Sequence, residues 1–278
     1  MNRLFVAYKP SGVSSNRFLS TLKRKYGVKK AGFSGTLDPF AKGVLLIGFG
    51  SHTKLFRFLD KTPKVYRATL WLGAKSDSLD IEMIENVQEI QEFSFDKIQG
   101  ALDSLKGEIE YDPPIFSAKR INGQRAYDLA RAGKEVILNK INSIIYDIKL
   151  IHYAHPFVTF EATVSEGTYI RSLGRLIAQK LHIEYGSLSA LERLCEGQFM
   201  YNYEKGLDIK KSLNIPQNFY HGKRDNLKYG RVLALEDLEL QEDGYYWLDN
   251  GDNISIISIE NNRVKYELGR IFQGGKQC

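Results

Sequence analysis

Cysteine is scarce: Cys195 and Cys278 lie far apart and no motif pairs them. That excludes a disulfide scaffold or a cysteine-rich zinc site, and it suits a reducing, cytoplasmic setting. The five histidines form no HExxH and no close ligand spacing; His152 and His155 read as strand-end surface residues. No apolar run is long enough to span a bilayer. Met1-Asn2-Arg3 leads straight into a strand-like Leu4–Tyr8 rather than a signal peptide. Walker A is missing, and the near-match Gly48-Phe49-Gly50-Ser51-His52-Thr53 lacks the third glycine of a dinucleotide fingerprint. The expectation is a chain with no organic cofactor, no metal and no membrane contact.

What is present is enough for real cores: 278 residues, 43% hydrophobic and 12% aromatic, sized for one large domain and a small one. The net charge is +6. Lys23-Arg24-Lys25 with Lys29-Lys30 makes one basic region; Lys119-Arg120, Arg125, Arg131 and Lys134 make another. Either run alone reads as a solvated helix face. Two of them flanking one candidate site favour RNA or DNA as partner.

That candidate site is Ala31–Gly43, which carries Asp38 on a glycine-punctuated loop. Gly35 and Gly43 allow backbone geometry that side chains forbid, and Pro39 pushes Asp38 toward an extended conformation. On these residues alone Asp38 is a turn cap or a catalyst, the cap being the commoner case.

The pattern predicts strands over Leu4–Tyr8, Val44–Phe49, Val65–Leu72, Ile144–Tyr153 and Phe157–Val164. It predicts helices from Ser14 or Ser15 to Tyr26, over His52–Leu59, over Phe95–Leu105 with Phe95 facing inward, over Gln124–Ala132, and from Thr168 to Leu181. Leu188–Gln198 reads as a helix passing into a strand. Beyond Ile215-Pro216, short strands at Gly244–Leu248, Ile254–Ile259 and Val264–Leu268 suggest a small β module. Tight turns between strands favour an α+β fold: a mixed, mainly antiparallel central sheet flanked by helices. The expected division is a catalytic domain over 1–214, with a basic, turn-rich insertion around 112–140, and a β-rich module over 215–278.

Gly35-Thr36-Leu37-Asp38-Pro39 with Gly43 resembles the catalytic-aspartate motif of the TruB-type pseudouridine synthases. Further pieces follow in the family's order. Lys9-Pro10-Ser11-Gly12 resembles its first motif, and Lys64-Val65-Tyr66-Arg67-Ala68 its tyrosine strand. Ser117-Ala118-Lys119, with Tyr127 and Arg131, is similar to its substrate-gripping insertion. Gly167-Thr168-Tyr169-Ile170-Arg171-Ser172-Leu173 resembles its arginine motif, and Leu191 with Arg193-Leu194 its final segment. The likeness covers about three-quarters of the chain.

The resemblance implies an isomerase that detaches uracil from uridine-55 in the T-loop of transfer RNA, turns it, and rejoins it through carbon. It implies Asp38 as essential nucleophile or base, Arg171 as its counter-ion, and Tyr66 as stacking ring and candidate late proton acceptor. It places Tyr169 and Leu191 in the base pocket, Lys119 and Arg131 on RNA, and Lys9, Pro10 and Gly35 as support. Asp77 and Asp80 read as structural loop residues. Phe33 stands where many bacterial members carry histidine, and is expected to keep a wedge role against the RNA. A monomer without an obligatory protein partner is expected. The tail reads as a reduced PUA-like module. Modification of another RNA and non-catalytic RNA binding are the alternatives.

Overall fold

The computed structural model describes residues 1–117, 120–121, 124–132 and 138–272. In chain order the first strands are β1 (Arg3–Lys9), β2 (Ala31–Ser34), β3 (Lys42–Phe49) and β4 (Lys64–Leu72). Two small hairpins follow: β5 (Ala74–Ser76) with β6 (Ile84–Val87), and, after β7 (Gly107–Tyr111), β8 (Arg120–Ile121) with β9 (Gln124–Arg125). Then come β10 (Ile141–Ala154), β11 (Phe157–Val164), β12 (Gly186–Glu196) and β13 (Phe199–Met200). The helices that matter here are α1 (Ser15–Lys25), α2 (Phe95–Asp103), α3 (Ala126–Arg131) and α4 (Ile170–Lys180).

The central sheet runs β1-β3-β12-β4-β11-β10-β7, with β2 beside β3 and β13 beside β12. Every pairing in it is antiparallel except β12 with β3, which sets Arg193 opposite Gly43. That parallel contact explains Gly43. Its φ is +117°, and a Cβ there would lie 2.3 Å from the Arg193 carbonyl oxygen. The aspartate loop therefore feeds straight into the strand that abuts β12.

Alternation in β4 fixes the two faces of the sheet. Tyr66, Ala68, Leu70 and Leu72 are buried on the helix side, packed with Ile98 and Leu102 of α2 and Leu173 and Ile177 of α4. At the other end of that face, α1 sets Leu22 and Phe18 against Phe5, Ala7, Leu45 and Ile47. Ser14 caps α1 by accepting from Arg17 N. Residues between those of the core face, such as Arg67 and Thr69, point to the opposite side, where Arg67 meets Glu161 at 2.5 Å.

Three local expectations change. Residues 188–198 hold no helix: β12 is strand throughout, because it bonds to β4 along its length and to β3 at Glu192 and Arg193. Helix α4 starts at Ile170 with Tyr169 as its cap, two residues later than the pattern suggested. Phe95 is 59% exposed at the first position of α2, with the Tyr153 ring covering one edge at 5.7 Å.

The C-terminal sheet is β14 (Gln217–Asn218), β15 (Gly244–Asp249), β16 (Asn253–Glu260) and β17 (Arg263–Phe272), in that order. Its core reaches across the expected boundary. Trp247, Ile254, Ile256 and Leu268 pack with Leu55 and Phe58 of the 3-10 segment Gly50–Phe58, and with Ile209. The buried His52 places Nε2 2.8 Å from the Phe272 carbonyl oxygen in the same seam.

Candidate active site

The loop between β2 and β3 is held by three apolar anchors: Leu37, Phe40 and Ala41 are all buried in the main core. Its backbone is laced to the residues that precede and begin α1. Ser15 Oγ donates to Leu37 O (2.9 Å) and accepts from Leu37 N (3.0 Å). Gly12 N donates to Pro39 O at 2.9 Å and Ser11 Oγ to Phe40 O at 2.6 Å. Lys9 is fully buried, and its Nζ donates to Val13 O (2.7 Å), Pro10 O (3.0 Å) and Pro39 O (3.3 Å). Burial pulls the Lys9 amine down to about 8, against the opposing charges of Asp38 and Glu82. Each such buried bond is worth about 1 kcal/mol, and together they fix Asp38 in place.

Arg171, in the first turn of α4, comes to this loop from more than a hundred residues downstream. Its Nε lies 2.9 Å from Asp38 Oδ2, an ion pair without the alignment of a hydrogen bond. The rest of the guanidinium is held from behind. Nη1 donates to Ser78 O (2.7 Å) and lies 3.3 Å from Asp80 Oδ2; Nη2 donates to Phe116 O (2.8 Å). Asp80 in turn accepts from Ser78 Oγ at 2.6 Å and caps a short 3-10 turn through Glu82 N at 3.0 Å. Asp80 is thus both the loop cap the sequence suggested and a second carboxylate on Arg171. Nothing in its local sequence shows the second contact.

The Asp38 side chain keeps 35% exposure, while Arg171 keeps 4%. Burial pushes the Asp38 carboxyl above the usual carboxylate range; the Arg171 charge opposes this and the Asp80 charge adds to it. The carboxylate and the guanidinium separate two cavities. One, of about 290 Å³, is lined by Tyr66, Tyr169, Leu191, Arg193 and the Asp38 loop. The other, of about 260 Å³, lies toward Ser14, Phe116 and Tyr127.

Tyr66 lies directly across the strands from Arg193. Burial pushes its phenol up and the Arg193 charge opposes the rise. Beneath them is a buried charged group that sequence reasoning missed. Arg193 Nε donates to Val44 O (2.8 Å) and Nη2 to Gly35 O (3.1 Å), with Glu196 Oε2 3.4 Å away. Glu196 also accepts from Ser34 Oγ at 2.9 Å and lies 3.8 Å from Lys64 Nζ. Gly35, at φ +62°, passes so close above that a Cβ would meet Arg193 Nη1 at 3.1 Å. Tyr169 is fixed through its backbone N, which donates to Tyr111 Oη at 2.9 Å.

The structure therefore brings Asp38, Arg171, Tyr66, Tyr169, Leu191 and Gly35 to one cavity, with Lys9 bonded to the loop at Pro39 O; Pro10 is exposed and its carbonyl accepts from Lys9 Nζ. Phe33 is not among the residues lining either cavity. It sits in β2 opposite Ile47, half-buried against the Phe5–Leu22–Phe49 cluster. Lys119 and the Arg131 side chain lie outside the described residues; the backbone of Arg131 ends α3. Among the described residues no cluster of His, Cys, Asp and Glu could hold a metal ion.

A carboxylate–guanidinium pair at the mouth of a cavity walled by two tyrosines and a leucine suits work on a flat base and its sugar. Over residues 23–170 the chain matches the family described as TruB family pseudouridylate synthase (N terminal domain). Along 271 residues it is 71% identical to a protein of Sulfurimonas denitrificans named tRNA pseudouridine synthase B, covering 98% of this chain and 99% of that one. A protein of the same name from Campylobacter jejuni is 52% identical over 271 residues, with 98% and 99% covered. The chain belongs to the TruB family of pseudouridylate synthases and is an isomerase. Its fold is similar to that in the crystal structure of a Cbf5-Nop10-Gar1 complex: TM-score 0.68 at 18% identity, over 98% of this chain and 85% of that one.

Proposed function

We propose that this enzyme converts uridine-55 in the T-loop of transfer RNA to pseudouridine. The observation that carries the reading is the Asp38–Arg171 contact at 2.9 Å, at the edge of the cavity lined by Tyr66, Tyr169 and Leu191. The names of the 71% and 52% identical relatives support transfer RNA as substrate. The target base is flipped from its loop into the cavity, at a cost of a few kcal/mol offset by stacking and phosphate contacts. Asp38 is the essential carboxylate at the anomeric carbon or beside it, kept ionised by Arg171. The N1–C1′ bond breaks, the uracil turns, and a C5–C1′ bond forms. The C5 proton then leaves, with Tyr66 the candidate acceptor, and N1 takes up a proton. Tyr66 stacks on the base; Tyr169 and Leu191 exclude water that would otherwise intercept the ribose. Lys119 and Arg131 grip the RNA backbone, and the protein acts alone in the cytoplasm.

The test is to map pseudouridine in transfer RNA from cells with and without the gene. Loss confined to the T-loop site is expected; a site still modified without the protein defeats the reading. In purified enzyme, Asp38→Asn is expected to abolish modification while RNA binding remains.

A further inference from the structure

Residues 199–207 leave β12 and fold back along the open edge of β1. Phe5 bridges Gly206, and Leu207 N donates to Leu4 O at 2.8 Å. Within this segment Lys205 N donates to Asn202 O at 2.8 Å, closing a turn whose central residues, Tyr203 and Glu204, both have positive φ (+48° and +57°). Asn and Gly are the residues that turns of this kind favour. A tyrosine followed by a glutamate is disfavoured in left-handed backbone, because each Cβ crowds the following carbonyl oxygen.

Glu204 is accounted for. Its carboxylate is 2.6 Å from Lys25 Nζ and accepts from Tyr26 Oη, and its carbonyl accepts from Arg3. Tyr203 is not: it is 87% exposed and, among the described residues, its ring meets the neighbouring Tyr201 at 5.6 Å. Tyr201, 42% exposed, meets Tyr8 at 5.7 Å, so three rings form a ladder running outward from the sheet. The clamp on Glu204 holds the bare end of that ladder in solvent.

We propose that Tyr201 and Tyr203 are a stacking platform for unpaired bases of the substrate RNA outside the T-loop, an inference that rests on transfer RNA being the substrate. Exposed rings beside basic side chains suit single-stranded nucleic acid, because every base has a face to stack and a phosphate to pair. Lys205, in the same turn, and Arg24, in the last turn of α1, are exposed, while the acids Glu204 and Glu192 are already engaged by Lys25 and Lys42. The platform cannot take the target base. Leu191 and Arg193 line the cavity, whereas Glu192 between them points to the other face, where it accepts from Tyr8 Oη at 2.6 Å. Helix α1 connects the two regions. Helix α1 begins at Ser15, bonded to the Asp38 loop, and ends at Lys25, bonded to the Tyr203 turn. Its eleven residues span about 16 Å, the reach of a few nucleotides.

The test uses the full-length enzyme with Tyr201 and Tyr203 both changed to Ala. Binding and turnover are measured on intact transfer RNA and on the isolated T-stem-loop. Affinity for intact transfer RNA is expected to fall on the order of fivefold to a hundredfold, at unchanged turnover. Affinity for the stem-loop is expected to stay the same, and Tyr203→Phe in an otherwise unchanged chain to bind like wild type. Equal losses on both RNAs, or no loss on either, overturn the platform. So does a wild-type dimer that the double variant abolishes, which would make the ladder a contact between copies. Wild type that modifies neither RNA defeats the functional reading and the platform with it. Wild type that modifies both, with the variant indistinguishable, defeats the platform alone.

Discussion

Asp80 holds Arg171 on the side away from Asp38: its Oδ2 lies 3.3 Å from Nη1, and both side chains are almost wholly buried. The guanidinium is thereby fixed in plane and direction before any substrate arrives. A buried charge that loses its partner is costly, and a charge-assisted bond is worth roughly 1.5–3 kcal/mol.

Asp80→Asn is accordingly expected to lower turnover about tenfold to a hundredfold, with RNA affinity near wild type. Single-turnover kinetics on a T-stem-loop measure it. An unchanged rate would show that Asp38 and the backbone carbonyls orient Arg171 without Asp80.

Lys9 makes stability depend on pH. Its amine titrates near 8 in the folded chain, below the usual 10.5. Between those values the unfolded chain binds more protons, so this residue's contribution to stability rises with pH. The stability difference between wild type and Lys9→Met is expected to shift in favour of wild type by about 2–3 kcal/mol from pH 8 to 10.5. Denaturant midpoints across that range check it, and a pH-independent difference contradicts it.

Phe33 is a test of packing against RNA contact. Its ring is half-buried on the Phe5–Phe49 cluster, so Phe33→Ala is expected to cost about 1–3 kcal/mol of stability. If Phe33 also wedges into the RNA, Phe33→Ala lowers modification well below its folded fraction and Phe33→His restores it. Phe33→Ala with full activity per folded molecule ends the wedge idea.

Cutting the chain after residue 214 is expected to damage the catalytic part. Leu55 and Phe58 would lose Trp247, Ile254, Ile256 and Leu268, and His52 would lose the Phe272 carbonyl. Several kcal/mol of apolar burial go with them. A lower melting temperature and poor soluble yield are the expected outcome; a truncated chain as stable as the whole would make the module independent.

The sequence determined the parts of this enzyme that are local. Strand alternation in β4, the Ser14 cap of α1, the glycine-marked loop and the order of the motifs are all written in short stretches, because period, capping and φ are properties of neighbours. The likeness to a family carried Asp38, Tyr66 and Arg171 as well. Tertiary structure decided what those stretches meet. Asp80 reads as a loop residue until α4 brings Arg171 against it, and Lys64, Arg193 and Glu196 read as scattered charges until β4 and β12 pair in register. Residues 188–196 became strand because neighbours on both sides bond to them, overriding local preference. The loop that holds Asp38 is complete in the sequence; the cavity it opens on is complete only when segments more than a hundred residues apart close around it, since burial and charge pairing depend on distance in space rather than along the chain.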